Sequence, residues 1–188
     1  MRLSFRALVA VVVAPLLVTG CGYNRLQELD ESVNSAKAQI ETQLQRRNDL
    51  IENLVNTVKG VAAQETTVFI RIAEERSKLS GAVQSGDVAE MARANDQMAG
   101  ALSRLLVVVE NYPELRSSEN FTQLQDQLEG TENRIAVARQ DYNTAVEQFN
   151  AMTRRFPTNL TAKMFGLGEP REYFRASEGA EAPPEVKF

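Results

Sequence analysis

The chain has 188 residues, of which 43% are hydrophobic, 24% charged and 6% aromatic, and its formal net charge is −4. It is apolar enough to bury the core of one folded domain, and without a basic stripe it lacks the electrostatic footprint of nucleic-acid binding. Its lack of histidine and its single cysteine remove the usual general base, the imidazole metal sites, any intramolecular disulfide and any iron–sulfur cluster, so no catalytic residue, cofactor or metal is expected.

Residues 1–20 carry a short basic head (Arg2, Arg6), an apolar stretch from Ala7 to Val18 and a small-residue end, Thr19-Gly20. This is the pattern of an export signal. The apolar stretch is about a dozen residues, interrupted by Pro15, and falls short of the roughly 20 needed to span a bilayer. The run Leu17-Val-Thr-Gly-Cys21 resembles the lipobox of bacterial lipoproteins, in which the cysteine is acylated and becomes the first mature residue. Cys21 is therefore the expected lipid-attachment site. Burying acyl chains contributes about 0.8 kcal/mol per CH₂, and two chains suffice for stable anchoring. Gly22, rather than aspartate, follows it, which in a two-membrane bacterium goes with delivery to the outer membrane.

Beyond Cys21 the hydrophobicity becomes periodic. Leu26, Leu29, Val33, Ala36, Ile40, Leu44, Ile51, Leu54, Val58, Val61, Phe69, Ile72 and Leu79 follow three-and-four spacing, which predicts helix over residues 25–80. A second stripe runs Val88, Met91, Asn95, Met98, Leu102, Leu105, Val109, and a third Phe121, Leu124, Leu128, Thr131, Ile135, Ala138, Tyr142, Ala145, Phe149, Met152, Phe156. Both read as heptad seams. Gly81 and Gly86 flank a polar turn, Ser85 or Asp87 can cap the second segment, Pro113 closes it, Ser117 or Ser118 can cap the third, and Pro157 ends it. The first segment is longer than its partners. Either it turns near Asn48-Asp49, where Asp49 and Glu52 form a candidate capping box, or it continues as one long helix. Phe156, Leu160, Met164, Phe165, Tyr173 and Phe174 are expected to fold back as an apolar clasp over a bundle end, and residues 177–188 as a disordered tail.

Tyr23-Asn24, Leu44-Gln-Arg-Arg-Asn-Asp-Leu-Ile-Glu-Asn-Leu-Val-Asn-Thr-Val-Lys-Gly60, Glu110-Asn-Tyr-Pro-Glu-Leu115, Tyr142-Asn-Thr-Ala-Val-Glu-Gln-Phe-Asn150 and Phe156-Pro157 resemble the LemA family of bacterial envelope proteins. The resemblance implies an all-α, antiparallel up-and-down bundle of three to four helices, with four favoured, over residues 21–176. It implies no mechanism. Where family members commonly carry proline this chain has Glu52, and many relatives have an uncleaved membrane helix in place of the lipobox.

Four polar residues, Arg47, Glu65, Arg76 and Asn95, fall on seam positions where apolar residues are expected. Such residues fix helix register and oligomeric state, and Arg–Glu pairing across the bundle is the expected arrangement. Arg46-Arg47 with Asp49 and Lys59 reads as a solvated face with helical ion pairs. Tyr142, Phe149 and Phe156 read as core in preference to a ligand slot. Adjacent carboxylates such as Glu74-Glu75 point in different directions on a helix and do not converge on one substrate atom. The expectation is a lipid-anchored, non-enzymatic scaffold or adaptor on the extracytoplasmic side, partnered by the membrane and by envelope proteins, with its helix seams also open to a homo-oligomer. The alternative is an extracytoplasmic sensor that admits a small ligand between helices.

Overall fold

A computed structural model describes residues 5–175, with side chains from Gly22 onward. The expected signal segment 1–20, the lipid-attachment side chain of Cys21 and the tail 177–188 therefore lie outside the described side chains. Among the described residues there is no strand, and the helices are six: α1 (Phe5–Lys59), α2 (Thr66–Ser85), α3 (Val88–Val109), α4 (Pro113–Arg116), α5 (Glu119–Arg154) and α6 (Thr158–Met164). The all-helical class is as expected, but the count is six rather than three to four, because a four-residue turn (α4) and a seven-residue turn (α6) are added to the long helices.

The first segment does not turn at Asn48-Asp49. Asp49 accepts a bond from Gln45 Nε2 within the helix at 2.9 Å, so it decorates a helical face and caps nothing. The break comes after Lys59, where Val61 and Ala62 donate their N–H groups to Val58 O and Ala62 then sits fully buried. The chain resumes at Thr66, with Val68 and Phe69 donating to Glu65 O. Val61, expected in the seam, is consequently exposed.

The next connection follows the sequence closely. Gly86 ends α2 at φ 69°, donating to Ala82 O and Val83 O, a left-handed cap that residues with a Cβ resist. Asp87 caps α3 by accepting from Glu90 N at 2.9 Å. Gly81 lies inside α2 rather than at the turn. With so short a link, α2 and α3 pack against each other as an antiparallel hairpin. Gly86→Ala is expected to cost about 1 kcal/mol through the left-handed backbone alone, read as a lower thermal midpoint with unchanged helical circular dichroism. Pro113 opens α4 at its first turn instead of closing α3 directly, and Ser118 caps α5 by accepting from Phe121 N at 3.3 Å.

The chain divides into two compact units, one from Met1–Lys37 with Asp141–Tyr173 and one from Ala38–Gln140 with Phe174–Phe188. In the first, Leu26, Leu29, Val33 and Ala36 of α1 and Tyr142, Ala145, Val146 and Phe149 of α5 are buried, together with Thr158, Thr161 and Ala162 of α6. In the second, the core is Ile40, Leu44, Ile51 and Leu54 of α1, Ile72 and Leu79 of α2, Met91, Met98 and Leu105 of α3, and Phe121 and Ile135 of α5. These are the seam positions that the spacing marks.

Candidate functional site

The polar seam residues supply the buried chemistry of the second unit. Arg47, only 5% exposed, donates from Nη1 to Asn95 Oδ1 at 2.7 Å and pairs with the Glu132 carboxylate. Helices α1, α3 and α5 thus meet at one guanidinium. Burial pushes the Arg47 pKa down, while Glu132 and Asp96 oppose that shift. Arg47 therefore does not belong to the solvated face that the Arg46-Arg47 run suggests; Arg46 alone stays exposed.

One residue along, Asn48 is also buried. Its Nδ2 donates to Ser80 Oγ at 2.9 Å, and its Oδ1 accepts from Arg76 Nε at 3.2 Å, while Arg76 Nη2 reaches Glu52 at 2.7 Å. This second cluster joins α1 to α2. The Glu52 carboxylate is thereby used across the helix pair. Glu65 has left the seam for the turn before α2, where Tyr112 Oη lies 3.5 Å from its carboxylate. Burial, then the Glu65 charge, raises the Tyr112 phenol.

The residue that sequence reasoning passed over is Glu75. It is 0% exposed, with Arg71 Nη2 at 2.8 Å and Lys78 Nζ at 3.1 Å from Oε1, and Oε2 has no hydrogen-bond partner. The signal for it is the phase of α2 after its restart at Thr66: Phe69, Ile72, Glu75, Leu79 and Ala82 are its buried residues, so Glu75 sits deeper than Arg76. Arg71 and Lys78 are both about half exposed and can turn to water when the carboxylate is gone. Glu75→Leu is therefore expected to stabilise the protein by about 1 kcal/mol, seen as a higher midpoint of chemical unfolding.

In the first unit, side chains of α5 clamp the segment after α6. Asn150 Nδ2 donates to Arg171 O at 2.9 Å, Asn150 Oδ1 accepts from Arg171 N at 2.8 Å, and Tyr142 Oη donates to Glu172 O at 2.9 Å. Burial raises the Tyr142 phenol, with the Arg171 charge opposing. The Arg171 guanidinium reaches Asp30 at 2.7 Å and lies 5.5 Å from the Phe149 ring centre. The fold-back was thus legible, but its chemistry was not. It is hydrogen-bonded rather than apolar. Of the side chains expected to form an apolar clasp, only Phe174 is buried, in the second unit beneath Arg139 at 4.7 Å. Phe156, Leu160, Met164, Phe165 and Tyr173 are exposed, and Phe156 therefore does not extend the core stripe of Tyr142 and Phe149.

Two grooves open at the surface. One of about 530 Å³ in the first unit is lined by Arg25, Leu29, Glu147, Gln148, Met152 and Arg155, among others, and one of about 340 Å³ in the second by Lys59, Ala63, Thr66, Phe69, Ile70 and Ala73. Among the described residues, no group of three or more His, Cys, Asp or Glu is arranged to hold a metal, and no helix is long and apolar enough to cross a membrane.

Comparison with known proteins agrees with the helical blocks. The family model described as LemA family matches residues 36–188. The chain is 27% identical to Magnetosome protein MamQ 1 and to MamQ 2 of Paramagnetospirillum magneticum, in each case over 93% of this chain and 71% of the relative. It is 26% identical to Protein LemA of Metamycoplasma hominis, over 82% of this chain and 69% of that one. The matched span takes in the last 24 of the 55 residues of α1 and all five later helices, and on that span the chain belongs to the LemA family.

Proposed function

We propose that this LemA-family chain is a lipid-anchored, non-enzymatic scaffold of the bacterial cell envelope. It is tethered through Cys21 on the extracytoplasmic side, at the outer membrane facing the periplasm where the organism has two membranes, and it holds other envelope proteins against its helices. The observation that carries this reading is the interior. Leu26 and Phe149 in one unit, and Leu44, Ile51, Leu54, Met91, Met98, Leu105 and Phe121 in the other, fill their cores with almost no exposed surface, and the grooves are open troughs on the outside. A close-packed interior offers its outer faces to partners, whereas a ligand-binding bundle needs an enclosed apolar cavity with a few convergent polar groups.

Ile70 on α2, Val107 on α3 and Val137 on α5 are large apolar side chains on exposed faces of the second unit, and they are the places to look for a partner. A photo-crosslinking residue at Ile70 or Val107 in intact cells is expected to capture a reproducible envelope protein. Capture should be lost when the same face is recharged with glutamate. The groove of Arg25, Glu147, Gln148 and Arg155 favours the second reading, a small-ligand sensor. No captured partner, together with ligand-dependent thermal stabilisation, would put that reading in place of the scaffold.

A further inference from the structure

Helix α6 is amphipathic in the reverse sense. It turns Thr158, Thr161 and Ala162 into the protein, while Leu160 and Met164, four residues apart and so on one face, are 60% and 71% exposed. Phe156 just before the helix is 80% exposed, and Phe165 just after it is half exposed. A helix facing only water would present the threonines and bury the leucine and methionine. A contiguous outward apolar face of this kind marks a contact surface.

Its position names the partner. The Phe165 ring lies 4.5 Å from the Tyr23 ring, centre to centre, and a Cβ placed on Gly22 would stand 3.5 Å from Thr158 Oγ1. The inner face of α6 therefore rests on α1 at the residues that immediately follow Cys21. The apolar face is thus held beside the residues that follow Cys21, the position that the tether reading assigns to the lipid. Charge agrees with position. Arg154, Arg155 and Lys163 lie among the apolar residues in sequence, all three are exposed, and residues 148–168 contain no acidic residue in a chain whose net charge is −4. Large apolar groups flanked by cations are the composition of a segment that lies in the headgroup layer of an anionic bilayer. A second copy docking on the same patch through a two-fold axis would bring these cations against their own kind.

We propose that the outer face of α6, with Phe156, Leu160 and Met164 entering the acyl boundary and Arg154, Arg155 and Lys163 on anionic headgroups, is a membrane-docking surface. It rests on the reading of Cys21 as the membrane tether and adds a second attachment beside it. The tether makes docking intramolecular, so a patch too weak to bind a membrane alone is held there. The first unit then keeps a fixed attitude to the bilayer instead of swinging from an acylated residue.

The test uses the full-length, membrane-extracted protein in vesicles of phosphatidylcholine with phosphatidylglycerol as the minor component. Leu160→Cys and Met164→Cys, at exposed positions, are labelled with bimane and compared with Val137→Cys on α5. The expected result is that the protein floats with the vesicles and that brominated lipids quench the labels at 160 and 164 several-fold more than the label at 137. Flotation without preferential quenching would leave the tether standing and overturn the docking surface. Failure to float would overturn both. A blue-shifted label at 160 that brominated lipids do not quench would assign the face to a protein surface and also overturn the proposal.

Discussion

Arg47→Ala is expected to lower the stability of the protein by about 3 kcal/mol, the cost of opening a buried, hydrogen-bonded charge cluster. Two contributions make up that loss. Asn95, buried on α3, loses the donor that holds its Oδ1, and an unsatisfied buried amide oxygen costs about 1–3 kcal/mol. The guanidinium also leaves a gap between α1, α3 and α5. Glu132 contributes less, because its side chain is half exposed and regains water when its partner leaves. This ordering has a distinctive consequence. Asn95→Leu alone should also destabilise, since it leaves Arg47 buried with only its Glu132 contact among those two, whereas Arg47→Leu combined with Asn95→Leu should recover most of the loss. The double-mutant cycle from urea unfolding then gives a non-additive coupling. Additive losses would mean that the two side chains are independent of each other. Arg47→Leu also tests register. Unchanged stability and unchanged oligomeric state would remove any specifying role from the polar seam.

Phe149→Ala is expected to cost about 4 kcal/mol, as is typical when a buried phenylalanine is truncated in a core. Phe149 is fully buried in the first unit, and its ring also lies beside the Arg171 guanidinium. The cavity therefore opens directly under the segment that Asn150 holds by both the N–H and the carbonyl of Arg171. Asn150→Ala, which removes those two bonds and leaves the ring, should cost less, about 2 kcal/mol. Hydrogen exchange separates the two effects. Both variants should expose the Arg171 amide, but only Phe149→Ala should also lower protection along α5. A Phe149→Ala protein with unaltered protection along α5 would contradict this account of the first unit's core.

Spacing and capping chemistry read well from the sequence wherever the partner of a helix is another helix of the same chain. Leu26 to Leu54, Met91 to Val109 and Phe121 to Phe149 mark stripes that are buried except at the partly exposed Leu102, Leu124 and Leu128, and Asp87 and Ser118 cap as their types suggest. The break after Lys59 was not legible, because Val58 and Phe69 can both be placed on one continuous seam and no proline interrupts it. What ends the helix is a local turn pivoting on buried Ala62. That restart resets the phase of α2 and puts Glu75, not Arg76, at the bottom of the seam. At Asn48-Asp49, where the sequence leaves a turn and a continuous helix both open, the helix continues. Asp-x-x-Glu looks like a capping box, but the helix bonds of Asp49 and the cross-helix bonds of Asn48 and Glu52 use the same side chains without a turn. Around α6, apolar content was read as core. Hydrophobicity marks a residue that leaves water and does not say whether protein or lipid receives it. Cys21 takes its role from the leader pattern before it, and one measurement tests that role directly.

That measurement is the intact mass of the mature amino terminus, taken from the membrane fraction for the wild-type protein and for Cys21→Ser. The tether reading predicts a wild-type chain that begins at Cys21 and carries a thioether-linked diacylglycerol, and a serine variant that keeps its leader and lacks the lipid. The same amino-terminal mass in both proteins, apart from the substituted atom, would contradict it.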